Sequence, residues 1–190
     1  MTSSKNCWSC DKNIGYKDFV CNACGVLQKP FDLNPFDIFS IDKKFEIDKK
    51  MLEQRYFELQ ILLHPDKFIN ASQEEKNFSN VHTSFVNNAF KILCDDTSRI
   101  KVLLEYFGYQ INESESFQDV SVLEEIMELQ NKSMSVESES EKNKIKSQLI
   151  DKIEKEIKKV SQLFSEKKYK DVHKSCIKLS YLQKINGNFK

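Results

Sequence analysis

Glycine and proline are scarce: the 190 residues hold only four of the first and three of the second. So few turn-formers, alongside abundant Lys, Glu, Leu and Ile, argue against a loop-rich fold and for a mainly helical one. No apolar run approaches the ~20 residues that a membrane span requires, so no membrane partner is expected. Neither sign of charge is in excess, since Lys plus Arg balance Asp plus Glu at 29 each. No global field therefore recruits nucleic acid or an anionic bilayer. Phosphate-cradling motifs are missing too, with no G-x-x-x-x-G-K-[ST] and no G-x-G-x-x-G. No acid–base pair is evident, and an enzyme is not expected. The first six residues are too few and too polar for a signal peptide, and no Arg-rich presequence precedes the first motif, so an intracellular style of chain is expected.

What the chain does contain is 39% hydrophobic and 31% charged residues, enough for two or three small modules. Cys7-Trp8-Ser9-Cys10 and Cys21-Asn22-Ala23-Cys24 are two C-x-x-C pairs with ten residues between them. A two-residue gap lets both sulfurs of a knuckle face one ion, and two knuckles complete a tetrahedral thiolate site. Gly25 suits a knuckle that must bend with positive φ. Structural disulfides and a redox C-x-x-C are the competing readings. A reducing compartment disfavours the first, and no βαβ pattern supports the second. One structural Zn²⁺ held by Cys7, Cys10, Cys21 and Cys24 is expected, although four thiolates also suit iron. So few apolar residues lie in 1–30 that the ion must supply folding energy on the order of 10 kcal/mol. With four protein ligands, no position stays open for catalysis.

The middle of the chain turns on Leu63-His64-Pro65-Asp66-Lys67-Phe68. Pro65 lacks an N–H and pushes His64 out of the α region, so the preceding helix should stop at Leu63. Asp48 can cap that helix over 49–63, where Leu52, Tyr56, Leu59 and Leu63 form one apolar stripe. Beyond the turn, Ser72-Gln73-Glu74-Glu75 reads as a capping box. The helix it opens carries Phe78, Val81, Phe85, Ala89, Ile92 and Leu93 as its packed face. Two such helices should pair antiparallel, with His-Pro-Asp at the exposed tip. Asn34-Pro35 should start a short helix bearing Phe36, Ile38 and Phe39. Asp95 should cap another, with Ile100, Leu103, Leu104 and Phe107 as its stripe and Gly108 in the left-handed conformation at its end. Cys94 reads as a packing residue, and the lone His82 and His173 receive no role.

This arrangement resembles the J domain, the DnaJ-type module, over roughly 34–108. Arg55, Lys67-Phe68 and Asn87-Asn88-Ala89-Phe90 stand where that family has counterparts. Ile61-Leu62-Leu63 departs from it, since basic or polar residues are common there. The resemblance implies docking on a DnaK-type ATPase chaperone whose ATP hydrolysis is triggered by His64, Pro65 and Asp66, with Arg55 and Lys67 among the contacting cations. The J domain itself hydrolyses nothing.

Three helical patterns follow, at about 118–133, 141–166 and 169–185, with a Ser/Glu-rich connector at 133–140. Ile145, Leu149, Ile153, Ile157, Val160 and Phe164 face Val172, Cys176, Leu179 and Leu182, the pattern of an antiparallel hairpin. The charged run from Asp151 to Lys159 reads as a solvated face. Val122 to Leu129 is apolar around more than one stripe, which points to a partner.

The order of modules is similar to that of the HscB family of iron–sulfur cluster co-chaperones, in the animal-type form with an amino-terminal cysteine module. The resemblance implies a mainly α fold: a small four-cysteine zinc module (1–30), a J domain (34–108) and a carboxy-terminal three-helix bundle (112–190). It further implies that the bundle holds the iron–sulfur cluster scaffold protein through Leu123, Met127, Glu128 and Tyr181 and delivers it to the chaperone. It points to the mitochondrion, with the cytoplasm as the alternative because no presequence is evident, and it leaves homodimerisation open. The rival readings are a J-type co-chaperone for another client and a zinc-ribbon protein that binds nucleic acid. The second would need a basic stripe with interleaved aromatics, and the cysteine segment has none.

Overall fold

The computed structural model describes residues 4–111, 120–135 and 138–189. Among them are a two-stranded antiparallel sheet and seven α-helices. Packing divides the chain into two compact units, Met1–Lys43 with Ile47–Cys94 and Lys44–Glu46 with Asp95–Lys190.

The first unit opens with strands β1 (Ser4–Asn6) and β2 (Asn13–Gly15), paired so that Lys5 opposes Ile14. Helix α1 (Pro35–Ile38) starts as expected, the Asn34 side chain accepting the Phe36 N–H and Pro35 occupying the first turn. Phe36, Ile38 and Phe39 are buried. Asp48 caps α2 (Lys49–Leu63) through the N–H groups of Lys50 and Met51. His64 is extended at ψ 131°, which ends α2 at the residue anticipated from Pro65. A single 3-10 turn, Pro65–Phe68, leads toward α3 (Gln73–Cys94).

Ala89 and Leu93 of α3 are buried as expected, but the first half of its packed face departs from the expected stripe. Val81 and Phe85 are 39% and 41% exposed, and the buried residues are Ser79, His82, Val86, Ala89 and Leu93. A shift of one residue turns a helix face by about 100°. It occurs here because three polar side chains of this segment find buried acceptors: Ser79 and Thr83 donate to the Leu63 carbonyl, and His82 reaches the Gln28 carbonyl. Cys94, expected to pack, is exposed.

The second unit holds α4 (Asp96–Tyr106), α5 (Val120–Met134), α6 (Glu139–Ser165) and α7 (Tyr169–Gly187). The expected start of α5 at residue 118 lies outside the described residues, as do residues 136–137 of the connector before α6. Asp95 caps α4 at the Ser98 N–H, and Ile100, Leu103 and Leu104 are fully buried. Phe107, assigned to the same stripe, is 40% exposed and stacks on Tyr169 at 5.3 Å. Gly108 does adopt the left-handed conformation, φ +80°. By packing, α4 lies against α7 within the second compact unit. Phe45 belongs here as well: it stacks on Phe164 at 5.9 Å beneath the buried Arg99 guanidinium, which donates to its carbonyl.

The α6–α7 hairpin forms along the expected stripes, with Leu149, Val160, Val172, Cys176, Leu179 and Leu182 buried. Helix α5 adds Ile126 and Leu129 to a core shared with Leu149, Leu182 and Ile185. The charged run of α6 is not wholly solvated. Glu156 is buried, with Lys159 and Lys178 at 3.4 and 4.0 Å. Glu125 of α5 pairs with Lys152 of α6 and Lys178 of α7, and those two ammonium groups hold its carboxyl below the usual range.

Candidate functional site

The two C-x-x-C segments fold into matching knuckles. In the first, the Cys7 N–H donates to the Lys12 carbonyl and the Asp11 N–H to the Cys7 carbonyl; in the second, the Cys21 N–H donates to Val26 and the Gly25 N–H to Cys21. The residue after each second cysteine is left-handed, Asp11 at φ 58° and Gly25 at φ 76°. These bends turn the N–H groups of Ser9 and Ala23 onto the sulfurs of Cys7 and Cys21, each at 3.4 Å.

All four sulfurs lie within 4.8 Å of one another, with Cys7–Cys24 at 3.7 Å and Cys10–Cys21 at 3.8 Å. A tetrahedron of thiolates about 2.3 Å from a central ion has edges of about 3.8 Å, so this donor set fits a four-coordinate metal. Electrostatics agree. Desolvation works against the Cys7 thiolate, but the N–H groups of Cys10 and Ser9 and the Gln28 amide outweigh it and bring Cys7 down to about 6. At Cys24 the Val26 N–H favours the thiolate, but desolvation and the sulfurs of Cys10, Cys21 and Cys7 push it up to about 12. Four cysteine sulfurs this close form a set that can hold one metal ion, whose charge would stabilise them as thiolates. Among the described residues this is the one cluster of metal-ligating side chains.

His64, Pro65 and Asp66 lie at the junction between α2 and α3, with the imidazole 52% and the carboxylate 80% exposed. The Asp66 N–H donates to His64 Nδ1 at 3.3 Å. The Asp66 carboxylate approaches the same nitrogen to 3.5 Å. The turn buries none of its own residues. Its two helices are held instead by the Asn87 side-chain oxygen, which accepts from Tyr56 Oη at 2.9 Å and Gln60 Nε2 at 2.8 Å, and by Tyr56 stacked on Phe90 at 4.2 Å. Arg55 and Lys67 are exposed, as are Phe57 and Ile61 of α2.

Helix α5 carries apolar side chains on both its core side and its solvent side. Ile126 and Leu129 face the core, Leu123 is half-buried, and Met127 is 60% exposed. Glu128 is exposed and 3.7 Å from Lys132, while Tyr181 on α7 is 41% exposed. Sequence reasoning missed Gln28, Glu75, Ser79, His82 and Thr83 as organising residues. Only Glu75 carried a local signal, in the capping box.

No helix among the described residues is long and apolar enough to cross a membrane. A family model described as the HSCB C-terminal oligomerisation domain matches residues 118–190. The iron-sulfur cluster co-chaperone protein HscB of Homo sapiens is 33% identical over 189 residues, spanning 97% of this chain and 80% of its own length. The HscB homolog of Arabidopsis thaliana is 30% identical over 183 residues, spanning 96% of this chain and 72% of its own. The crystal structure of human co-chaperone protein HscB matches with a TM-score of 0.89 at 32% identity, over 97% of this chain and 96% of that one. Chaperone HscB from Vibrio cholerae, at 21% identity and TM-score 0.75, shares the fold over 83% of this chain and 95% of its own. The relatives that match this chain over nearly its whole length are named as co-chaperones, a class of protein that is not enzymatic. The chain belongs to the HscB family of iron–sulfur cluster co-chaperones.

Proposed function

We propose that this chain delivers an iron–sulfur cluster scaffold protein to a DnaK-type ATPase chaperone and stimulates ATP hydrolysis by that chaperone. The observation that carries the reading is a near-full-length likeness to the human co-chaperone in a chain whose His-Pro-Asp turn stands exposed between two packed helices. His64, Pro65 and Asp66 form the trigger, and Arg55 and Lys67 steer it onto an acidic chaperone surface. Leu123, Met127, Glu128 and Tyr181 hold the scaffold. The exposure of Met127 and Tyr181 supports this. Tethering the scaffold raises its effective concentration at the chaperone's peptide site. One structural Zn²⁺ sits among Cys7, Cys10, Cys21 and Cys24, where it supplies the positive charge that four thiolates need. Functionally the chain divides into a metal module (1–30), a J domain (34–108) and a scaffold-binding bundle (112–190). The mitochondrion is its place of work, a reading supported by eukaryotic relatives over nearly the whole chain.

Single-turnover ATP hydrolysis by a DnaK-type chaperone tests this, with and without the chain and a cluster scaffold. Stimulation should vanish in His64→Gln, and synergy with scaffold should vanish in the double variant Leu123→Ala, Tyr181→Ala. Stimulation without synergy would leave a J-type co-chaperone for another client. No stimulation at all would discard the trigger and favour a zinc-ribbon protein.

A further inference from the structure

The His-Pro-Asp turn has no buried residue of its own, so its geometry is set where the chain enters and leaves it. At the entry, the Leu63 carbonyl is gripped by the hydroxyls of Ser79, at 2.6 Å, and Thr83, at 3.2 Å. At the exit, the Ser72 hydroxyl accepts the Glu75 N–H at 3.2 Å and donates to Glu75 Oε2 at 3.4 Å.

The metal module is tied to these same two points. Glu75 Oε1 accepts the Leu27 N–H at 3.2 Å, so one carboxylate joins the module to the exit of the turn. His82, in the helical turn between Ser79 and Thr83, has its Nε2 2.9 Å from the Gln28 carbonyl. A carbonyl only accepts, so Nε2 carries the proton and donates. Leu27 and Gln28 are in turn bound into the thiolate cluster. The Trp8 indole N–H donates to the Leu27 carbonyl at 2.8 Å, and the Gln28 side chain donates to Cys7 Sγ at 3.3 Å. Trp8 also meets Phe78 edge-on at 5.9 Å, and Phe19 meets His82 at 5.2 Å. The module has little packing with which to hold Leu27 and Gln28 unaided: its buried core is Cys7, Ile14 and Cys21.

We propose that Glu75 and His82 are positioning residues for the His-Pro-Asp turn, transmitting the order of the metal-loaded thiolate module to the two ends of that turn. The metal then has a second effect besides folding the segment that binds it: it braces the trigger. The catalytic part of this inference rests on the proposed stimulation of a chaperone ATPase; the mechanical part does not.

The test uses the full chain in four forms: zinc-loaded wild type, wild type stripped by a chelator, His82→Leu and His82→Gln, with Glu75→Ala as an independent cut at the exit. Metal content and amide hydrogen exchange over residues 64–72 are measured alongside chaperone ATP turnover. His82→Leu should keep its metal, yet exchange in 64–72 should quicken about tenfold, as expected from losing one buried hydrogen bond. Its maximal stimulated rate should fall by roughly tenfold, as misplacement of a distant support can do. The concentration giving half-maximal stimulation should move by less than about twofold, because the exposed cations of α2 are untouched. His82→Gln, which keeps a side-chain N–H, should recover most of both losses, and the stripped wild type should resemble His82→Leu. Should His82→Leu fail to fold, Glu75→Ala decides the matter with the same readouts. Unchanged exchange in the stripped protein, or equal behaviour of the Leu and Gln variants, overturns the inference. A wild type that stimulates no chaperone overturns the proposed function, while the exchange data still decide whether the brace exists.

Discussion

Leu27 donates its backbone N–H to the carboxylate of Glu75 at 3.2 Å, across 48 positions of chain. The capping box read from Ser72 and Glu75 is thereby altered. The Ser72 hydroxyl does take the Glu75 N–H, but the returning carboxylate divides itself between the Ser72 hydroxyl and the metal module. A helix cap thus becomes a bridge between segments far apart in sequence.

Removing that bridge should be felt more than an ordinary surface change. Glu75→Ala loses two hydrogen bonds and strands the Leu27 N–H, a destabilisation of about 1–3 kcal/mol. Ser72→Ala loses the cap alone, about 1 kcal/mol. Urea unfolding should give a double variant less destabilised than the sum of the two, because both share the carboxylate.

Metal removal has a built-in reporter, since Trp8 is the single tryptophan and its indole N–H is held by the Leu27 carbonyl. Stripping the ion should red-shift Trp8 emission as the knuckle opens, and stoichiometric Zn²⁺ should restore it. Cys21→Ser, at a fully buried ligand position, should show the red-shifted state even in excess metal. Emission that ignores chelation would mean the module holds itself together without metal.

His82 makes a prediction about pH. Burial lowers its pKa; the Gln28 carbonyl works against that shift, and the nearby Lys5 ammonium adds to it. Folded His82 therefore binds fewer protons than unfolded His82, whose value is about 6.5. Stability should fall as pH drops below that value and level off beneath the folded one. The difference in unfolding free energy between wild type and His82→Leu, measured from pH 7.5 to 5, should shrink on acidification. A pH-independent difference would mean His82 keeps its ordinary affinity for protons.

The proposed scaffold face can be separated from the bundle core by stability alone. Leu129 is 7% exposed, and Leu129→Ala should cost about 2–4 kcal/mol. Met127 is 60% exposed, and Met127→Ala should stay within about 0.5 kcal/mol of wild type by thermal unfolding. Loss of scaffold binding in Met127→Ala, with the melting curve unmoved, would then be a loss of contact rather than of fold.

Much of this was legible in the chain, and for a local reason. Caps at Asn34, Asp48 and Asp95, the end of α2 before Pro65, and the left-handed Gly25 and Gly108 each depend on residues within about four positions. The knuckle spacing is likewise a short-range matter, and so are the apolar stripes of α6 and α7. Tertiary structure alone decided which polar side chains go inside. His82 meets Gln28 and Arg99 meets Phe45, each over 54 positions, and Glu156 is enclosed by lysines of two helices. A hydrogen bond stabilises a buried group only once its partner is in place, and nothing near His82 in the chain announces Gln28. That is why the stripe through Val81 and Phe85 looked like the packed face of α3. The face actually buried includes Ser79 and His82, one residue away and about 100° around the helix.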